Sequence, residues 1–153
     1  MTDHYAQCEN ALVALLLKEM PTYFKHGWQV SDDDTGLSRG EDYFVVVRPS
    51  TFPVVPVAGR SIADIQWHVT MTIYCRYTEY SESLKRFKAF RSTILNVVYQ
   101  NKLRDITNVG GAVIQSKSDV FYHFNTEPKP GMKPNFIGQT LDVTINQRVN
   151  FAQ

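Results

Sequence analysis

The chain has 153 residues, 43% of them hydrophobic and 20% charged, which is enough for one soluble domain with its own core. Its net charge of +1 singles out no partner by bulk electrostatics. No apolar run approaches membrane-spanning length, because Lys18 and Glu19 follow Leu12–Leu17 directly, and the N-terminus lacks the pattern of a secretory signal.

The spacing predicts a first helix from an Asp3 N-cap toward Met20, with Cys8, Ala11, Leu12, Leu15 and Leu16 on one apolar stripe. Pro21 interrupts it and Gly27 closes any continuation. Residues 28–40 read as a polar loop, opened by a short strand at Trp28–Val30. Tyr43–Arg48 is apolar on both faces and is expected as a central strand covered twice. Pro49, Pro53, Pro56 and Gly59 then mark a long connection that carries Phe52, Val54, Val55 and Val57. An apolar loop of that length is uncommon unless it is functional or mobile.

Ile65–Tyr77 alternates as a long strand, with Trp67, Val69, Met71, Ile73 and Cys75 on one face and His68, Thr70, Thr72, Tyr74 and Arg76 on the other. Ser81 is the expected cap of a second helix whose apolar face is Phe87, Phe90, Ile94, Val97 and Val98, with Arg91 at its edge. Gly110-Gly111 turns into a third long strand over Ala112–Phe124, and a Pro-rich loop follows with Lys129, Met132 and Lys133 at its tip. The last strand alternates from Ile137 to Phe151. Ile137, Leu141, Val143, Ile145, Val149 and Phe151 face one way, and Thr140, Asp142, Thr144, Asn146 and Arg148 face the other. The resulting order is α-β-β-α-β-β, which predicts a single α+β domain with an antiparallel or mixed four-stranded sheet and helices packed on it.

Charge is uneven along the chain. Asp32, Asp33, Asp34, Glu41 and Asp42 form an acidic stretch, whereas the second helix and its sequel carry Lys85, Arg86, Lys88, Arg91, Lys102 and Arg104. That asymmetry suits head-to-tail contact between identical subunits, against the plainer reading of two solvated surfaces. Arg91 either snorkels outward or enters a buried pair, including one across a subunit interface.

Signals for chemistry are weak. The histidines (His4, His26, His68, His123) have no HxH or HExxH spacing. His68 and Cys75 point to opposite faces of their strand, and no Gly-x-Ser-x-Gly elbow is present. Gly59-Arg60-Ser61 lacks the second glycine and the lysine of a phosphate loop. Asp32-x-Asp34 opens like a calcium loop but has Tyr43 where the bidentate Glu belongs. Cys8 and Cys75 form no CxxC pair and read as two buried thiols in a reducing compartment. No catalytic residue, cofactor or metal is expected.

Three segments carry a family resemblance: the strand Trp67-His-Val-Thr-Met-Thr-Ile-Tyr-Cys75, the helix segment Ser83-Leu-Lys-Arg-Phe-Lys-Ala-Phe90 and the closing Gln139-Thr-Leu-Asp-Val-Thr-Ile-Asn-Gln147. In these segments and in the order of its elements, the chain resembles the tail terminator proteins of long-tailed bacteriophages, the U-protein type of lambda-like siphophages. The resemblance implies a structural, non-enzymatic virion protein. It would form a hexameric ring on the tail tube, end tube polymerisation and dock the head-tail connector, without membrane or specific nucleic-acid binding. It further implies a location in the virion neck, and in the host cytoplasm during assembly. Candidate subunit or partner contacts are Asp32, Asp33, Asp34, Phe52, Val54, Val55, Arg60, Arg91, Met132 and Lys133. The alternatives are a head-closure or connector protein of the same neck, and a small-molecule-binding α+β domain built around His68, Tyr74 and His123.

Overall fold

A computed structural model describes residues 4–20, 28–31, 42–49, 62–100 and 109–150. Among them are helices α1 (His4–Glu19) and α2 (Tyr80–Gln100) and strands β1 (Trp28–Ser31), β2 (Tyr43–Pro49), β3 (Ile62–Arg76), β4 (Val109–Ser116), β5 (Phe121–His123) and β6 (Phe136–Asn150). The strands form one sheet in the order β1-β2-β3-β6-β4, with β5 also paired to β6. Among the described strands, β1 and β2 run parallel and the other pairs are antiparallel. The α+β class is as expected, but the described residues hold six strands where four were expected.

The sheet is built on β3 and β6, which pair without a break from Ile62↔Asn150 to Arg76↔Phe136. Strict alternation in both strands produces this: Trp67, Val69, Met71, Ile73 and Cys75 meet Leu141, Val143, Ile145 and Val149 on one face, all of them buried. The two helices pack on that face. α1 contributes Cys8, Leu12 and Leu16, one turn apart, and α2 contributes Phe87, Phe90, Ile94, Val97 and Val98. Burying each large apolar side chain contributes about 1.5–3 kcal/mol, so this layer dominates the stability.

β2 is covered on both sides, as its composition predicts. Val45 and Val47 join the helix-side core, while Phe44 and Val46 are buried on the opposite face with Tyr74 and Phe136. Phe121 packs against this second cluster.

Two buried glutamines interrupt the apolar row of β6. Gln147 accepts a hydrogen bond from Trp67 Nε1 at 2.9 Å and lies 3.9 Å from the Cys8 thiol. Gln139 accepts from Arg91 Nη1 at 2.7 Å and donates to the Ser118 carbonyl at 3.1 Å. Each is satisfied by partners distant in sequence, which is the condition for burying an amide without a large penalty.

Three local expectations change. Helix α2 starts before Ser81, since Ser83 N–H already donates to Glu79 O at 2.8 Å. The side chain that closes its first turn is buried Ser83, whose hydroxyl accepts from the N–H groups of Thr78 at 2.8 Å and Glu79 at 3.2 Å. The long strand expected over 112–124 is two strands. Between them Lys117 and Ser118 both donate their backbone N–H to Thr140 O, and Thr140 N–H donates to Ser118 Oγ, so a side chain replaces a ladder bond and stops the strand. Gly110 and Gly111 lie inside β4, at a register shift, and not in a turn before it.

Candidate functional site

Both helices lie on one face of the β3–β6 pair, and the other face carries a half-buried polar ladder. Thr72 and Thr140 hydroxyls are 3.2 Å apart. His68 Nδ1 is 3.2 Å from Asp142 Oδ2 and 3.2 Å from Thr144 Oγ1. Because a carboxylate only accepts, that contact requires the proton on Nδ1. Both neighbours then use the same ring nitrogen, so the trio is not the relay of a nucleophile through a histidine to an acid. Asp142 Oδ1 is buried and has no hydrogen-bond partner among the described residues. Lys117 Nζ reaches Thr70 Oγ1 at 3.4 Å along the same face.

Further along this face the character turns aromatic. Tyr74 stands edge-on to Phe121, His123 and Phe136, with ring centroids 5.9, 5.7 and 6.2 Å away. The Arg76 guanidinium lies 5.3 Å over the Phe136 ring, and its Nε donates to Asp42 at 3.2 Å. Tyr74 and His123 therefore do come together. His68 lies six residues up the strand from Tyr74, about 20 Å away at about 3.3 Å per residue. The three residues that a small-molecule site was expected to gather form no common centre.

From the β5 end projects an arm, residues 124–135, held by backbone bonds from Tyr77 N to Asn135 O at 2.9 Å and Asn135 N to His123 O at 2.8 Å. Its tip is a turn with Pro130 followed by Gly131 at φ 79°, closed by Met132 N–H to Lys129 O at 3.0 Å, a left-handed geometry that favours glycine. Met132 (42% exposed) and Lys133 stand at this tip, where the sequence put them.

Arg91 is half-buried, donates to Gln139, and has its guanidinium 5.5 Å over the Phe87 ring. This contact is internal, tying α2 to β6. Asp32, Asp33, Asp34, Phe52, Val54, Val55 and Arg60 lie outside the described residues, as does His26.

The remaining electrostatics are structural. Burial pushes the Cys8 thiol up to about 12 and the Cys75 thiol to about 11, so both are poor nucleophiles at neutral pH. The hydrogen bond from Arg148 holds exposed Asp64 below the usual carboxylate range. Desolvation, with Tyr80 next, raises Tyr122 in an exposed group that includes Tyr77. Among the described residues, no group of three or more His, Cys, Asp or Glu side chains is arranged to hold a metal ion, and no helix is long and apolar enough to cross a membrane.

Sequence reasoning did not foresee the contact that Tyr99 makes with β4. This exposed residue on the last turn of α2 places its hydroxyl against the backbone of β4, accepting from Ile114 N–H at 3.0 Å and donating to Ile114 O at 3.4 Å. No protein-family model matches the chain, and no curated protein matches it.

Proposed function

We propose that this protein is a structural virion protein of the tail-terminator type. It acts as a ring on the end of the tail tube, stops further polymerisation and offers the docking surface for the head-tail connector. The reading is supported by one observation above the others: the three segments that carry the family resemblance form a single packed unit. Trp67 through Cys75 registers against Ile145 through Ile137, and Phe87 and Phe90 of α2 are buried in the same core. A stiff two-strand platform with helices on one side and a polar ladder on the other suits a subunit whose work is contact.

In this reading the hexamer, the tube protein and the connector are the partners, the neck of the virion is the location, and the function is assembly without catalysis or cofactor. The exposed arm tip with Met132 and Lys133 is one contact, and the acidic residues Asp32–Asp34 and the segment with Phe52, Val54, Val55 and Arg60 are others.

The test is electron microscopy of tails assembled in a host that lacks this protein. Tubes of uncontrolled length that fail to join heads are expected. Tubes of normal, uniform length that still join heads would sink the proposal.

A further inference from the structure

A strand at the end of a sheet presents a row of backbone N–H and C=O groups outward, and such a row is a template for another strand. Among the described strands, β4 is the end strand beyond β6. Its Ile114, opposite Val143, turns both backbone polar groups outward, because the Tyr99 hydroxyl binds the N–H at 3.0 Å and the carbonyl at 3.4 Å. One phenol thus stands in for a neighbouring strand at this residue. Alternate residues of an antiparallel strand share an orientation, so Ala112 and Ser116 direct their backbone groups the same way as Ile114. Tyr99 is itself 55% exposed and Val113 on this strand 46%, so neither is locked into the core.

We infer that the outer edge of β4 is a strand-addition site for a second copy of this chain, whose β1 supplies the added strand, and that Tyr99 keeps the edge closed in the lone subunit. The inference rests on the ring reading above.

Strand directions favour this occupant. β4 is antiparallel to β6, β6 to β3 and β3 to β2, while β1 is parallel to β2. β1 and β4 therefore run in opposite directions at the two ends of the sheet. When like-oriented subunits stand side by side, β4 of one meets β1 of the next antiparallel, the better-bonded pairing. A ring closed in this manner uses both end strands of every subunit and leaves neither edge open.

The test uses the full chain, wild type and two variants, with amide hydrogen exchange and sedimentation velocity over a range of concentrations. In dilute protein Tyr99→Phe raises exchange at Ile114 about fivefold, the factor expected for one ordinary hydrogen bond, and self-association begins at lower concentration than in wild type. Val113→Lys sets a charge on the exposed edge, leaves the melting temperature unchanged and weakens association. In wild type, exchange across β4 slows as oligomers form. Oligomers that form equally well in Val113→Lys, with β4 exchange unchanged on association, overturn the edge as the contact while the ring reading stands. Assembly that stops at a dimer overturns β1 as the occupant. Absence of self-association in all three proteins also overturns strand addition, and the ring reading is then judged by the tails made without the protein.

Discussion

Gly138 stands between two rings. A Cβ there would lie 3.0 Å from Phe121 Cζ, 3.0 Å from Tyr74 Cδ1 and 3.1 Å from the Ile73 carbonyl oxygen. The rings can shift, but the carbonyl belongs to the paired backbone of β3 and cannot. Gly138→Ala is expected to cost about 1–3 kcal/mol, seen as a lower urea midpoint with an unchanged slope. An unchanged midpoint would mean that the rings absorb the methyl. By alternation alone Gly138 belongs to the polar row of its strand. Its neighbours make it the floor of an aromatic cluster, and nothing in the local sequence reveals rings brought from β3 and β5. Gln139 and Gln147 teach the same lesson from the other face. They sit in a row that reads as apolar, and their burial is tolerated only because Arg91, Ser118 and Trp67 arrive from elsewhere.

At the scale of elements, the long periodic segments were legible and the joints between them were not. A two-residue period needs only near neighbours, so β3 and β6 can be read from their own residues, as can the double apolar faces of β2. The start of α2 depends on which hydroxyl folds back. Ser81 has the right type, but buried Ser83 is the side chain that binds the Thr78 and Glu79 N–H groups. Ser83→Ala should therefore destabilise the protein by about 1–2 kcal/mol, while Ser81→Ala leaves its thermal or urea midpoint nearly unchanged. Equal losses from the two would return the cap to Ser81. The split between β4 and β5 escapes sequence reading for a related reason: the residues of 112–124 favour a strand throughout, and the interruption comes from Ser118 bonding Thr140 across the sheet. Of the candidate contact residues, Met132 and Lys133 stand exposed where a Pro-Gly turn puts them, whereas Arg91 turned inward to an amide its own element cannot reveal.

For the whole molecule, the two buried thiols set an alkaline limit. An unfolded thiol loses its proton near 9.0, whereas native Cys75 holds it to about 11 and native Cys8 to about 12, because burial disfavours the thiolate. Between those values the native state binds more protons than the unfolded one. This contribution is therefore fully present below about pH 9 and is lost as pH rises through 11 to 12. Urea midpoints should fall over that window, less steeply in a Cys8→Ala, Cys75→Ala protein, and native thiols should resist alkylation at pH 8 until denaturant is added. Rapid alkylation of the native protein would contradict the burial on which the argument depends.

The β3–β6 pairing has a consequence for how the chain reaches this state. Thr72 meets Thr140 across 68 residues and Asp64 meets Arg148 across 84, so the central ladder can form only after a large loop has closed. β4 and β5 also have β6 as their sheet partner. Folding is then governed by a late, non-local step, and milliseconds to seconds is the expected range rather than the microseconds of a helical bundle. Until β6 arrives, β4 and β5 lack their sheet partner and β3 has only β2, so the half of the sheet beyond β3 forms in one late step rather than piecemeal.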